Sequence, residues 1–330
     1  MRGDEMSTQA TAGTLPFQMG ETTTHRGITI TPLFPATDPV AAYTSLADAS
    51  TKGFTVTEVD EAGDVGELVA TNPTDQRVLI YDGEEVEGAK QNRIVNVSVL
   101  VEAGSTLAIP VSCVEQGRWS WRSDTFQAAG RTPSPDIRRA KAQMLHLEPL
   151  ERGRAQDAVW SAVSAKEAER GFRSASSAHG DLIEHQRPQI EDMARHFPLQ
   201  PGQCGMLLGA DGRMVCMDAV SRPDVFARLH PALLTGYMLD GAHLAGRPAP
   251  PDGAAAQFLA AVAGAERATG PTAGLGEDIR LQGERVVGSG LVLDGEVIQV
   301  SAFARDERRG DGHQALPPRI ARPRTRQRTW

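Results

Sequence analysis

The fold is decided by the stretch DGEEVEGAKQNRIVNVSVLVEAGSTLAIPVSCVEQGRW, residues 82–119. Apolar and polar side chains alternate along residues 93–101 and again along residues 107–115. This alternation is typical of strands that bury one face, because successive side chains point to opposite sides of a sheet. The loop EAGST at 102–106 is short enough to join the two runs directly, so the sequence predicts an antiparallel hairpin.

The simplest register of this hairpin places Val101 opposite Leu107 and Arg93 opposite Glu115. One face is then apolar over four pairs and ends in a guanidinium beside a carboxylate, which is a favourable cross-strand pair. A shift by one residue would turn every apolar side chain to the wrong face. We therefore predict that Arg93 and Glu115 share a face and form an ion pair.

Further strand signals lie on both sides of this stretch. Short runs rich in Val, Ile and Thr, separated by Gly, Asn and Asp, are typical of antiparallel strands. On the N-terminal side they are residues 27–34, 53–59, 66–72 and 77–83. On the C-terminal side, residues 205–220 predict a hairpin that turns at Asp211-Gly212, and residues 277–304 predict two or three strands.

Helical spacing of apolar residues separates the two groups of strands. It predicts helices at 155–170, 181–197, 223–244 and 254–269, and a short one at 40–49 after Asp38-Pro39. Pro188 is expected to break, kink or restart one of them, and Pro231 to interrupt another. Strands followed by helices and strands again indicate an α+β fold, with an antiparallel β-rich core built from N- and C-terminal strands and a helical insertion at about 133–200.

The domain organisation follows from the same pass along the chain. We expect a single α+β domain over residues 21–304, because both ends of that range contribute strands to one core. Residues 1–20 are predicted to be a disordered N-terminus, and residues 305–330 a disordered Arg- and Pro-rich tail.

Composition and charge exclude several classes of protein. The 330 residues include 34 basic and 42 acidic side chains, a net charge of −8. The tail from Arg305 onward carries a net +5, so the rest of the chain carries −13. Nucleic acid is not expected as the partner of this acidic body, because phosphate contacts need clustered Lys and Arg. No apolar stretch of about 18 residues occurs, so no membrane span is expected.

Cysteine usage and the N-terminus indicate the compartment. The three cysteines form no CxxC pair and are too few for a disulfide framework, and no His, Cys or carboxylate spacing predicts a metal site. The N-terminus has no apolar segment of the kind found in secretory signals. We therefore expect a cytoplasmic protein without a bound metal.

The dense polar residues of the 82–119 stretch form the candidate site. For anion or ligand binding the candidates are Lys90, Gln91, Asn92, Arg93, Arg118 and Trp119. Glu85 and Glu115 are the candidates for acid–base catalysis. In the competing interpretation, Arg93 and Glu115 are an internal ion pair that holds the register, and the other charges are a hydrated edge.

Several motifs of the chain resemble one prokaryotic family, the ARG and rhodanese-phosphatase-superfamily-associated protein domain of the first type. They are DGEEVEGAKQNRIVN (82–96), IPVSCVEQGRW (109–119), the VW within 155–163, GLGEDIRL (274–281) and VIQVSAF (297–303). The resemblance spans about residues 27–304. The family name implies an association with ADP-ribosylglycohydrolases and rhodanese-like phosphatases, and it implies no particular reaction or catalytic residue.

Two hypotheses of function follow. In the first, the protein binds or processes a small anionic, nucleotide-like or phosphorylated molecule linked to ADP-ribose or NAD metabolism. In the second, it is a non-catalytic β-rich module that binds a protein partner. The residues alone do not decide whether the protein is an enzyme, and they indicate no particular cofactor. A concave, solvent-reachable arrangement of the polar residues favours the first hypothesis, and complete internal pairing favours the second.

Overall fold

The computed structural model describes residues 7–9, 15–61, 63–115, 117–147, 152–174, 176 and 178–305. The predicted tail lies outside these residues, apart from Arg305. Within the range assigned to the N-terminal extension, Ser7–Gln9 and Phe17–Met19 form strands. The ordered β structure of the described chain therefore begins earlier than residue 21.

Strands and short connections dominate both ends of the described chain. The strands are β1 (Ser7–Gln9), β2 (Phe17–Met19), β3 (Thr23–His25), β4 (Ile28–Pro35), β5 (Thr44–Ser45), β6 (Thr55–Glu58), β7 (Glu67–Thr71), β8 (Val78–Ile80), β9 (Glu85–Gly88), β10 (Arg93–Val95), β11 (Val99–Val101), β12 (Thr106–Cys113), β13 (Phe126–Ala128), β14 (Gly205–Ala210), β15 (Arg213–Val220), β16 (Glu266–Pro271), β17 (Glu277–Gln282), β18 (Val286–Leu293) and β19 (Glu296–Ala304). The helices are α1 (Leu46–Ser50), α2 (Pro135–Leu147), α3 (Arg152–Glu169), α4 (His179–Ala194), α5 (Pro223–Leu244) and α6 (Ala254–Ala263).

One large antiparallel sheet joins the two ends of the chain. Its strand order is β1-β16-β17-β18-β19-β15-β14-β4-β2, and β3 also pairs with β4. The N-terminal strand β4 pairs with β14, and the C-terminal strand β19 pairs with β15. The α+β prediction with an antiparallel core from both ends is confirmed at this level, and helices α2 to α4 occupy the predicted insertion.

A closed barrel of six strands is the second β unit, and the sequence analysis did not predict its closure. The order around the barrel is β10-β12-β7-β6-β13-β9. A third, three-stranded sheet has the order β11-β8-β5, and its β5–β8 pair is parallel. Because closure leaves a barrel without free edges, residues 55–128 form a compact β unit beside the large sheet.

The predicted hairpin register is wrong by two residues. Arg93 lies opposite Cys113, not opposite Glu115, and Val95 lies opposite Val111. The predicted strand 93–102 is divided, because β11 leaves β12 and pairs with β8. The even–odd phase is correct, since it depends on which face is apolar, whereas the partner depends on contacts far along the chain.

The first predicted helix is shorter than its sequence pattern suggested. The expected helix at 40–49 reduces to Leu46–Ser50. Its N-cap is Ser45, whose hydroxyl accepts a hydrogen bond from the backbone N–H of Asp48 at 3.1 Å. A serine cap satisfies a helical N–H that would otherwise lack a partner, which explains why the helix begins there and not at Pro39.

The later helices differ from the predicted helices in where they are interrupted and where they end. Helices α4 and α5 continue through Pro188 and Pro231, so neither helix is broken or restarted there. Each proline removes one N–H from the helix, and buried residues on both sides of it hold the helix in place. The helix expected at 254–269 ends at Ala263, and strand β16 follows.

Two further predictions about these parts of the chain are confirmed. The hairpin over 205–220 turns at Asp211 and Gly212, which both adopt positive φ. Residues 277–304 form three strands. In the described part of the chain, no helix has the length and apolarity that crossing a membrane requires.

Candidate functional site

The polar residues gather at one end of the barrel because of its inside–outside alternation. The barrel interior is filled by apolar side chains such as Val56, Val95 and Val111. The next inward positions, toward one end of the barrel, are occupied by polar residues. Glu58 and Cys113 lie two residues after Val56 and Val111, and Arg93 lies two residues before Val95. We call this layer, together with Lys90, Trp119 and Trp121 next to it, the polar end of the barrel.

Arg93 is the centre of the polar end and is fully buried. Its Nη1 donates to Gln91 Oε1 at 2.6 Å and to Cys113 Sγ at 2.7 Å. The nearest carboxylate is that of Glu58, whose Oε2 lies 4.0 Å from Arg93 Nη2. Among the described residues, Arg93 Nε and Glu58 Oε2 have no hydrogen-bond partner. A buried charge is costly unless it is fully hydrogen-bonded, so Arg93 Nε and Glu58 Oε2 have unused capacity to bond a further polar atom.

Two half-exposed tryptophans border the polar end. Trp119 is 47% exposed and Trp121 is 50% exposed. The ammonium of Lys90 lies 5.5 Å from the ring centre of Trp119 and 5.2 Å from that of Trp121, and it donates to the carbonyl of Glu61. The guanidinium of Arg93 lies 5.4 Å from the Trp119 ring. Cations at these distances are attracted to the negative ring face, so the two rings are held next to positive charge.

Glu115 is paired with Arg118 and not with Arg93. Its Oε2 accepts from Arg118 Nε at 2.9 Å and from the backbone N–H of Asn92 at 3.2 Å. Burial raises the pKa of Glu115, but Arg118 and the Asn92 N–H lower it more, so the net shift is downward. Gln91 Nε2 donates to the Glu115 carbonyl. These bonds tie the loops at 89–92 and 115–122 together.

Arg118 is saturated by internal acceptors. Besides Glu115, it donates to Asn92 Oδ1 at 3.0 Å and to the carbonyls of Gly88, Ala89 and Ser120. A guanidinium offers five N–H groups, and these contacts use all three of its nitrogen atoms as donors. Of the predicted ligand-binding residues, Arg118 and Asn92 are therefore engaged in shaping the loop, whereas Lys90, Arg93 and Trp119 meet at the polar end.

Glu85 lies on the outer face of the barrel, because it pairs with Ile94 and not with Arg93. Its Oε1 accepts from Arg131 Nη2 at 2.7 Å, and its Oε2 lies 3.0 Å from Nδ1 of His179. Burial raises the pKa of Glu85, but Arg131 and His179 outweigh it and the net shift is downward. Glu85 therefore anchors the start of helix α4 to the barrel.

A second buried polar network was missed by the sequence analysis. Asp218, on β15, accepts from both Nη atoms of Arg138 at 2.7 Å and from the hydroxyls of Tyr81, Tyr237 and Ser301 at 2.6 Å each. Asp218 and Arg138 are completely buried. Burial raises the pKa of Asp218, but Arg138 and the hydroxyl donors lower it more. The available signal was a single acid inside the otherwise apolar strand MVCMDAV, since an unpaired carboxylate is almost never buried.

The turn at residues 82–85 connects this network to the barrel. Asp82 binds the ammonium of Lys141, on helix α2, and accepts from Ser289 Oγ at 3.1 Å. The backbone of Gly83 has φ of 83°, and a Cβ there would lie 2.7 Å from Arg138 Nε. Burial raises the pKa of Glu84 to about 7. Asp82 and Glu85 of this turn thus bind different helices, whereas Glu84 accepts from the backbone N–H of Tyr81 at 3.1 Å.

Cys113 is a hydrogen-bond acceptor within the polar end. Burial raises the pKa of its thiol to about 12, although Arg93 lowers it. The side-chain amide of Gln156, on helix α3, accepts from the Cys113 N–H at 2.5 Å and donates to its carbonyl at 2.8 Å. A thiol that ionises only at high pH is a poor nucleophile, so these contacts define Cys113 as a packing and positioning residue. Among the described residues, no group of three or more His, Cys, Asp or Glu is arranged to hold a metal ion.

The fold and the site define a class: an α+β protein in which a large antiparallel sheet adjoins a closed six-stranded barrel with one polar end. The family model of the ARG and Rhodanese-Phosphatase-superfamily-associated Protein domain matches residues 16–303. The chain belongs to this family. Comparison with curated proteins and with solved structures gives no match.

Proposed function

We propose that the polar end of the barrel binds a small anionic molecule that carries a flat ring, such as a nucleotide or an ADP-ribose-like compound. The observation that carries the proposal is the pair of half-exposed rings, Trp119 and Trp121, whose centres lie 5.5 and 5.2 Å from the Lys90 ammonium. A base stacked on an exposed aromatic ring gains about 1–3 kcal/mol. The cations supply the attraction for phosphate or carboxylate.

Buried charge at the polar end supports the same proposal. Arg93 lacks a close carboxylate, and its Nε and Glu58 Oε2 have no partner among the described residues. A ligand oxygen or a water beside Arg93 would complete its hydrogen bonds, and the guanidinium plane suits phosphate. The association recorded in the family name supports an ADP-ribose-like ligand as the first compound to test.

Binding is better supported than chemistry at this end. Glu115 and Glu85, the candidates for acid–base catalysis, are both paired with arginines that keep them ionised. A carboxylate that receives several charge-assisted hydrogen bonds is a weak base and holds no proton to donate near neutral pH. We therefore assign Glu115 to shaping the site and Glu85 to anchoring helix α4 on the outer face of the barrel.

The test is a thermal-shift titration of the full chain with ADP-ribose, NAD, AMP and a sugar phosphate. A ligand at about 100 times its Kd stabilises the folded state by about 2.7 kcal/mol, which is a shift of a few degrees. Trp119→Ala and Lys90→Met should abolish the shift while the proteins stay folded. Lys52→Met is the matched control, because Lys52 is exposed and its ammonium donates to Gln76 Oε1 at 3.4 Å.

The outcome that contradicts this proposal is equally specific. If none of the four compounds shifts the wild type, or if Trp119→Ala and Lys90→Met respond as Lys52→Met does, the polar end is not the ligand site. Intrinsic tryptophan fluorescence gives an independent readout, because a ligand stacked on either exposed ring alters its emission.

Binding of a protein partner at the same end is the second candidate function. Among the described residues, the exposed large apolar side chains include Val59 and Val65 as well as Trp119 and Trp121. The loop that carries the two valines lies against the polar end, since the Val65 carbonyl is 3.8 Å from Cys113 Sγ. Grouped apolar residues on a rim are typical of interaction surfaces. A Val59→Ser, Val65→Ser variant that loses a partner but keeps the ADP-ribose shift would favour this candidate.

A further inference from the structure

A second concave site lies away from the polar end, where four chain segments meet. Its groove has a volume of about 560 Å³, and its charged and aromatic lining residues are Tyr43, Asp75, Arg77, Glu102 and Arg222. A volume in this range suits a small ligand, since ligand pockets measure about 300–1,000 Å³. None of these residues belongs to the polar end of the barrel.

The topology of the small sheet explains why these segments converge. Strands β5 and β8 are parallel and begin at the same side, so Tyr43 and Arg77 precede them there. Strand β11 runs antiparallel to β8 and ends at that side, which places Glu102 beside them. Arg222 immediately precedes helix α5. The carbonyl of Arg77 accepts from the Thr44 N–H at 2.9 Å, which fixes the backbone of the groove.

One of the two arginines is oriented by its neighbours. The guanidinium of Arg222 lies 5.9 Å from the ring centre of Tyr43 and donates to both carboxylate oxygens of Asp224, at 3.0 and 2.8 Å. The Tyr43 hydroxyl is itself bound to Ser221 Oγ at 2.8 Å. These contacts use Nε and Nη2 of Arg222 and no described residue contacts its Nη1. A pre-organised donor loses little entropy when a ligand binds.

The remaining charges of the groove are unpaired. The side chains of Arg77, Asp75 and Glu102 form no hydrogen bond or ion pair with any described residue. The groove therefore presents the cation of Arg77 and the carboxylates of Asp75 and Glu102 without internal neutralisation, beside Arg222, whose charge Asp224 balances. Such a lining disfavours a bare anion, because the two carboxylates repel it, and it favours a molecule that carries both signs of charge.

We propose that this groove binds a short peptide with free termini. The peptide carboxylate pairs with the guanidinium fork of Arg77, because that fork matches a carboxylate, and it also accepts from Nη1 of Arg222, which Asp224 leaves open. The peptide ammonium pairs with Asp75 and Glu102. The small side chains of Ala42 and Ala103 line the rest of the groove, beside the mostly buried ring of Tyr43. The site is independent of the ligand proposed for the barrel.

Ligand-observed NMR with trialanine and the full chain tests the proposal. Blocking the amine by acetylation or the carboxylate by amidation should each weaken binding about tenfold or more, because each removes a charged contact. Arg77→Met and Arg222→Met should weaken trialanine binding to a similar extent. Arg228→Met is the matched control, because Arg228 is exposed and pairs with Asp48 outside the groove.

Arg77→Met keeps the test decisive even if Arg222→Met unfolds, because Arg77 supports no other side chain among the described residues. The proposal is overturned if trialanine does not bind, if acetylation has no effect, or if Arg77→Met binds as well as Arg228→Met. It is also overturned if inorganic phosphate displaces trialanine at equal concentration, since that result defines a bare anion site.

Discussion

Replacing Asp218 by Asn is expected to be among the most destabilising single-atom changes in the protein. The asparagine keeps the shape of the aspartate but replaces one carboxylate oxygen with an NH2 group. Arg138 donates to both oxygens, so one of its N–H groups must then face another donor. The buried guanidinium also loses its counter-charge.

The magnitude follows from the complete burial of both groups. Removing one partner of a buried ion pair costs about 3–5 kcal/mol, because the other charge is left unpaired in a low-dielectric interior. An exposed pair gives the comparison: Asp224 pairs with Arg222 near the surface. Asp224→Asn should cost at most about 1 kcal/mol. Tyr237→Phe, which removes one of five hydrogen bonds to Asp218, should cost about 1 kcal/mol.

Equilibrium unfolding in urea at pH 7 measures all three variants. The pH dependence adds a second check with a defined sign. The pKa of Asp218 is lowered in the folded protein. Its charged contacts therefore stabilise the fold above the unfolded pKa of about 3.9, and this stability is lost as the pH falls. The gap between wild type and Asp218→Asn should narrow below about pH 4. A cost of Asp218→Asn no larger than that of Asp224→Asn would refute the reasoning.

Three further predictions concern the turn and the thiols. Glu84→Gln should gain stability relative to wild type as the pH rises from 5 to 8, because the pKa of Glu84 is raised to about 7. Glu85→Gln should lose stability relative to wild type as the pH rises through the lowered pKa of Glu85. Urea midpoints measured at each pH test both signs. Gly83→Ala should destabilise the fold by about 1–3 kcal/mol, because alanine is strained at φ of 83° and its Cβ would crowd Arg138. Gly104→Ala is the matched control: its φ is similar but the space around it is open, so the difference between the two variants measures the cost of crowding Arg138. All three cysteines are buried, so a thiol reagent such as DTNB should modify none of them until urea unfolds the chain; rapid modification of one thiol in the native protein would contradict the packing around it.

Alternation along residues 93–101 predicts the shared face of each side chain but not its partner. Arg93 and Cys113 do lie on one face, as the pattern requires. The predicted partner Glu115 is displaced because the strand is divided between Val95 and Val99. Polar side chains in that gap bind other segments, since Asn96 Oδ1 accepts from Ser112 Oγ at 2.8 Å. The pairing of β11 with β8 joins segments that are not adjacent in the chain, so local alternation cannot predict it.

The buried network around Asp218 illustrates a different limit of sequence reasoning. Arg138 and Asp218 are 80 positions apart and belong to a helix and a strand with no common motif. Arg138 and Lys141 are three positions apart in the helix, which places them on one face. A charged face is ordinarily solvent-exposed, and only the large sheet and the turn at Asp82 make this one internal. At the polar end, Trp119, Lys90 and Arg93 were predictable because they are close in sequence to the strand ends.

The acidic turn at residues 82–85 has a consequence for the modularity of the chain. Two of its carboxylates, and that of Asp218, have cationic or imidazole partners within residues 133–200: Asp82 has Lys141, Asp218 has Arg138, and Glu85 has His179 in addition to Arg131. Excising those helices would leave three buried carboxylates without these partners, although the strands on either side would still be complete. The β structure therefore depends on these helices to pair its buried carboxylates. The barrel and the large sheet can be truncated, swapped or recombined only together with the helices that neutralise them.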